Sequence, residues 1–225
     1  MRKSQKTKEA GTVASRLIHL AVADALLKEY HIDDPMCFRL GSILPDAKND
    51  SSLRAAPHYQ IVLPSGLLTY DLDAFREQYG EKIYSDSLYL GYYLHLIQDM
   101  VYRRFMYALP QWDARIPENV RQLHSDYRKI NRYIIESRNI ENNVSAPPDF
   151  HGEAIQQRFD FDIDTFLREL ENDFAKVQEG NYHHFTPKMA DEYLSLAIDA
   201  CRREMEAIQK GLPLCDQLSM TWGKE

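Results

Sequence analysis

Leu90-Gly91-Tyr92-Tyr93-Leu94-His95-Leu96-Ile97-Gln98-Asp99 sits inside a stretch, residues 84–106, with no proline and a single glycine. Leu88, Leu90, Tyr92, Leu94, Leu96, Ile97, Met100 and Val101 make it apolar nearly all round, which predicts a helix running through the middle of a bundle. Into that wall the sequence sets one histidine and one carboxylate. His95 and Asp99 are four residues apart, so on a helix they share a face, one turn apart. Such a pair can grip a single divalent ion, or the carboxylate can bridge two ions while the histidine holds one. The same spacing also suits a buried histidine hydrogen-bonded to an aspartate, a common way of satisfying polar groups in a helical core.

Working outward, Ser15 is placed to cap a helix that carries Leu17, Ile18, Ala21, Val22, Ala25 and Leu26 at helical spacing to about Tyr30. His19 borders that apolar stripe, where a packed core histidine is commoner than a ligand. Phe38-Arg39-Leu40-Gly41-Ser42-Ile43-Leu44-Pro45-Asp46-Ala47 reads as a buried turn, because glycine and proline break a regular helix while the apolar residues ask for burial. Asp46 at its end either caps the next element or aims inward at a metal. After a polar loop over 49–54, Pro57-His58-Tyr59 holds a histidine between a proline and an aromatic. Residues 61–69, with Pro64 and Gly66, read as irregular chain.

Asp71 is expected to cap a short helix over 73–79 that Gly80 ends. Pro117 opens a long helix, 118–137, with Val120, Leu123, Tyr127, Ile130 and Ile134 inward and with His124 and Asp126 flanking the stripe. Residues 142–152 read as an exposed excursion. Asp162 or Asp164 starts an amphipathic helix through Phe166, Leu170, Phe174 and Val177, closed by Gly180. Thr186-Pro187 opens the last helix, which Gly211 stops. With no alternating strand pattern and no repeat, the predicted fold is all-α: a multi-helix bundle, roughly six helices around the buried central one.

The 225 residues suit one domain, 12–225, behind a flexible leader, 1–11. A net charge of -7 argues against a nucleic-acid partner bound through its phosphates. The three cysteines form no C-x-x-C pair and no even framework, which fits a reducing compartment. His19 and Asp24 interrupt the first apolar run, so neither a signal peptide nor a membrane span is expected, and the address expected is the cytoplasm.

His19, Asp46, His58, His95 and Asp99 together offer nitrogen and oxygen donors without thiolate, a set that suits Zn²⁺ or a similar first-row ion. Five such groups exceed what one tetrahedral ion needs, which points to two ions sharing a carboxylate. In order and local wording the chain resembles the zinc-dependent phospholipase C family, whose all-helical fold is shared with the S1/P1-type nucleases. Arg16-Leu17-Ile18-His19 is similar to its first ligand helix, and the turn ending in Pro45-Asp46 to its Leu-Gly-Ser-x-x-Pro-Asp segment. His58-Tyr59 is similar to its loop histidine, and the stretch from Leu90 to Asp99 to its Gly-Tyr-x-x-His-x-x-x-Asp helix.

The resemblance implies that Asp46, His58, His95 and Asp99 hold one ion and that Asp99 reaches a second, held with His19. The family's N-terminal tryptophan ligand has no counterpart before Trp112, and no His-x-x-x-Glu pair follows Asp99. One or two ions are therefore expected, with His124 the candidate for part of a third site. The resemblance also implies hydrolysis of a phosphoester, on a small molecule or a lipid, by metal-activated water that Asp46 orients or deprotonates. Arg103, one turn beyond Asp99, is a candidate for the substrate phosphate, or for an ordinary salt bridge. Two other readings are an HD-type phosphohydrolase, which requires adjacent His and Asp, and a helical binding or regulatory protein with a structural metal.

Overall fold

The Asp86 carboxylate accepts the Leu88 amide at 2.9 Å and so caps α4 (Ser87–Tyr107), the central helix. The computed structural model that contains it describes residues 14–48, 56–176 and 178–223. The expected leader, 1–11, the polar loop 49–54 and Val177 lie outside the described residues. From Gly91 to Met100 every residue of α4 is buried, His95, Gln98 and Asp99 included. Seven further helices form among the described residues: α1 (Arg16–Leu27), α2 (Pro35–Gly41), α3 (Leu72–Ser85), α5 (Pro117–Arg138), α6 (Ala154–Phe159), α7 (Ile163–Ala175) and α8 (Pro187–Lys210). Helix α4 packs against α2, α3 and α8, and α1 closes the bundle against α2, α5 and α8.

Two glycines set the closest of these contacts. A Cβ at Gly91 would stand 2.2 Å from the Phe38 carbonyl oxygen, and one at Gly41 would stand 2.1 Å from the Leu88 carbonyl oxygen. Helices α2 and α4 therefore meet backbone to backbone, which only residues without a side chain permit. That contact brings the turn after α2 under α4, where the Ser42 carbonyl lies 2.8 Å from His95 Nδ1.

Several expectations are corrected. Residues 61–69 are not irregular: β1 (Gln60–Val62) and β2 (Leu68–Tyr70) pair antiparallel with Ile61 opposite Thr69. Gly66 takes the positive φ of 85° that the connection requires. The fold is thus the packed helical bundle expected, mostly helical, with a small two-stranded sheet that an all-α reading omits. Helix α3 does not end at Gly80. It kinks at Tyr79 (φ -131°, ψ 16°) and continues to Ser85, because buried Phe75, Tyr79 and Ile83 anchor both halves to the core. Helix α2 was not foreseen, although Asp34 caps it at the Cys37 amide (2.9 Å) ahead of Pro35. Helix α6 was missed as well, and within the expected excursion Phe150 is buried. Asp162 is the cap of α7, which stops at Ala175.

Helix α8 begins and ends as its residues predict, with Thr186 accepting the Met189 amide at 3.3 Å and Gly211 left-handed at φ 62°. The approach to it is tied down by Asp126, a fully buried residue of α5. Its carboxylate accepts the backbone amides of His183 at 3.0 Å, His184 at 2.7 Å and Phe185 at 3.1 Å, and the Lys129 ammonium at 3.3 Å. Burial alone would raise its pKa, but the three amides hold it below the ordinary carboxylate range. Replacing it leaves three amides without an acceptor and takes the anion from beside the buried Lys129 ammonium, which keeps the Asn181 carbonyl at 2.6 Å. Asp126→Ala is therefore expected to cost about 3 kcal/mol or more, read as a fall in the urea midpoint. A loss under about 1 kcal/mol would show that water replaces the carboxylate.

Candidate metal centre

Each side chain of the site is brought in by a different device. His19 lies on the buried face of α1, and His95 and Asp99 lie one turn apart on α4. Asp46 ends a single 3₁₀ turn, Leu44–Asp46, that follows the contact of α2 with α4. His58 sits in a turn that the Tyr92 hydroxyl of α4 pins by donating to the Pro57 carbonyl at 2.7 Å. The next residue, Tyr59, is left-handed at φ 53°, uncommon for a bulky side chain and the kind of strain that collects beside functional groups.

The five groups expected as ligands converge. His58 Nε2 lies 3.4 Å from Asp46 Oδ1, 3.4 Å from Asp99 Oδ2 and 3.2 Å from His95 Nε2. His95 Nε2 is 3.7 Å from Asp99 Oδ2 and 4.0 Å from Asp46 Oδ1. On the other side His19 Nε2 is 3.4 Å from Asp99 Oδ1 and 4.0 Å from Asp46 Oδ2. Both carboxylates thus divide their oxygens, one toward His58 and His95 and the other toward His19. Two overlapping sets of three, His19 with Asp46 and His95, and His58 with His95 and Asp99, have donor atoms close enough together to hold an ion.

The outer partners fix which nitrogen faces inward. His95 Nδ1 donates to the Ser42 carbonyl, so Nε2 turns its lone pair to the cluster. His19 Nδ1 is held by Gln98 Oε1 at 2.9 Å, with the same result. Burial, with His19 beside it, pushes His95 down to about 3, so its ring is neutral, as a ligand must be. Burial also works against a charged His19, but contact with Asp99 outweighs it and raises this pKa. Burial would raise Asp46, yet the imidazoles of His58, His95 and His19 hold it below the ordinary carboxylate range. Its two oxygens are buried and accept no well-formed hydrogen bond, with His58 Nε2 3.4 Å from Oδ1, and His19 Nε2 meets only the Asp99 oxygen at 3.4 Å. Orphaned donor atoms converging on one space are what a site built for cations shows before the cation is placed.

Two expected residues are placed elsewhere. His124 belongs to neither set; it is half-buried on α5, 6.1 Å ring to ring from Tyr127, and lines a cavity of about 220 Å³ that reaches Asp46. Arg103 does not line that cavity. It is 3% exposed, with its guanidinium 5.7 Å from the Trp222 ring centre and beside Tyr70 and Asp99. One turn beyond Asp99 the same face of α4 points into the core, so the group expected to meet a phosphate steadies the site from behind.

Tyr70 was not foreseen. Its buried hydroxyl donates to Asp99 Oδ2 at 3.1 Å, and the Ala14 amide approaches Oδ1 at 3.5 Å. No sequence signal marks Tyr70, which reaches the site only because the hairpin forms. Tyr70→Phe is expected to leave the fold intact and to weaken zinc binding about 10- to 100-fold, measured by competition with a chromophoric chelator. Unchanged affinity would mean that the ring only fills space.

Fold and cluster together define a mostly helical protein whose buried histidines and carboxylates could hold metal ions. No protein-family model, curated protein or solved structure matches the chain. Among the described residues no helix is long and apolar enough to cross a membrane.

Proposed function

We propose that the chain is a metal-dependent phosphoester hydrolase working with two ions, and that zinc is the ion its donor set suits. The observation that carries this reading is Asp46, a carboxylate with both oxygens buried, facing three histidines of which none comes closer than 3.4 Å. A buried charge left in that state is costly, and a divalent cation is the partner that offsets it. His58 and His95, with one oxygen each from Asp46 and Asp99, would hold one ion, and His19 with the other Asp99 oxygen would hold the second, which leaves Asp46 Oδ2 for water.

Bound there, the ions would polarise a phosphoryl oxygen and lower the pKa of water toward neutrality. Asp46 is the member of the cluster that lines the cavity, so it is the group to orient the attacking water and take its proton. His19 and His95 are committed to Gln98 and Ser42 and act as fixed donors rather than proton shuttles. The four motif blocks that resemble the zinc-dependent phospholipase C family support the reaction type. The four-residue spacing of His95 and Asp99 speaks against the HD-type alternative. A purely structural ion sits in a closed shell, whereas the cavity at Asp46 favours access from solvent.

Zinc-loaded protein is expected to hydrolyse bis(p-nitrophenyl) phosphate, with Asp46→Asn at least about 100-fold slower. Wild type that carries zinc and leaves the diester intact would contradict the hydrolase reading.

A further inference from the structure

The cavity at Asp46 has a wall of unusual composition. Helix α5 contributes His124, Tyr127, Arg128 and Asn131, at i, i+3, i+4 and i+7, so one continuous helical stripe faces the space. A stripe at that spacing normally carries aliphatic side chains into a core; this one carries an imidazole, a phenol, a guanidinium and an amide. Opposite it Arg16 is already paired, at 2.7 Å to Asp173 and 3.2 Å to Glu169, so its charge is spent within the wall. Arg128 is anchored at Nε by Gln178 Oε1 at 3.0 Å and brings a cation that no carboxylate in the wall pairs at salt-bridge distance among the described residues.

Resting on the hydrolase reading, we infer that the substrate is a small water-soluble phosphoester whose polar alcohol part lies along the α5 stripe, with Arg128 as its specificity-determining residue. Three observations argue for a polar occupant of that position over an acyl chain. No described residue lining the cavity has an aliphatic side chain larger than that of Ala14. None of the exposed large hydrophobic residues, Met36, Val62, Tyr84, Ile116, Leu196, Leu212 and Leu218, lines it. A volume of about 220 Å³ also falls below the usual range for larger ligands. The shared chemistry is a phosphodiester with a hydroxylated head, and the free and lipid forms differ only in the acyl chains.

The test compares glycerophosphoglycerol in solution with dioleoyl phosphatidylglycerol vesicles, each incubated with zinc-loaded protein and read as glycerol phosphate released. The soluble diester is expected to give a kcat/KM at least about tenfold higher. Arg128→Ala is expected to raise its KM about tenfold with kcat and zinc content kept, the scale of one charge-assisted hydrogen bond. Calorimetric titration of glycerol 3-phosphate should show the same loss of affinity, whereas Arg121→Ala, one turn before His124 on α5 but paired with Glu118 and outside the cavity lining, should change neither. Faster turnover of the vesicles, an inert soluble diester, or an unchanged KM in Arg128→Ala would overturn the inference while bis(p-nitrophenyl) phosphate is still hydrolysed. If that diester also survives zinc-loaded wild type, the hydrolase reading itself fails.

Discussion

Asp99→Ala is expected to strip both ions from the chain together. The basis is the division of its oxygens: Oδ1 stands 3.4 Å from His19 Nε2, and Oδ2 stands 3.4 Å from His58 Nε2 and 3.7 Å from His95 Nε2. His95 is common to both sets of donors, but its Nε2 stands closest to His58, at 3.2 Å. His95 has Nδ1 committed to Ser42, so only Nε2 is free to ligate, and it lies with His58. His19→Ala and His58→Ala should therefore each lose one ion and keep the other, while Asp99→Ala loses both. Hydrolysis by Asp99→Ala should fall by at least about 10³-fold, the scale of removing a central electrostatic group.

A folding control separates ligand loss from collapse. Zinc at 100 times its Kd stabilises a folded protein by about 2.7 kcal/mol, so wild type should melt higher with zinc and Asp99→Ala should not respond. Asp99→Asn keeps an acceptor for the Tyr70 hydroxyl and should fold while remaining unresponsive. A variant at Asp99 that still binds both ions would show that Asp46 alone bridges them.

Gly91→Ala should cost about 3 kcal/mol or more, although helix propensity alone predicts the reverse sign. In an exposed helix the exchange gains roughly 1 kcal/mol, because alanine restricts the unfolded chain. At Gly91 the new methyl would lie 2.2 Å from a backbone carbonyl of α2, which cannot swing aside as a flexible side chain would. Helices α2 and α4 must then separate, so Ser42 leaves His95 and zinc affinity falls with stability. Gly80 is the internal contrast: a Cβ there meets nothing within 4 Å. Gly80→Ala should stabilise by about 0.5–1 kcal/mol. Urea denaturation of the two variants side by side decides the matter, and equal midpoints would mean that α2 and α4 do not pack as closely as described.

The central helix was legible because an apolar run without proline has one stable outcome, and the same run made His95 and Asp99 conspicuous. Asp46 and His58 were legible from their surroundings, a buried turn and a proline-aromatic frame. The hairpin was not, since strands of three residues are too short to show alternation and depend on Trp222 pairing with Leu68 from the far end of the chain. Tyr70 was lost with it. Gly80 misled for a related reason: local chemistry favours a stop, and buried Tyr79 and Ile83 override it. Asp126 and His124, two residues apart on α5, were read as flanking one apolar stripe. In the fold Asp126 is buried under the approach to α8 while His124 opens onto the cavity, and nothing within α5 distinguishes those environments.

Anomalous diffraction at the zinc edge from crystals of the zinc-loaded protein tests the central claim most directly. Two peaks are expected, one among His58, His95 and the Oδ1 of Asp46 and Oδ2 of Asp99, the other beside His19 and Oδ1 of Asp99. Crystals grown with excess zinc that show no peak within this cluster would contradict the account, and leave Asp46 a buried carboxylate among histidines with no metal role.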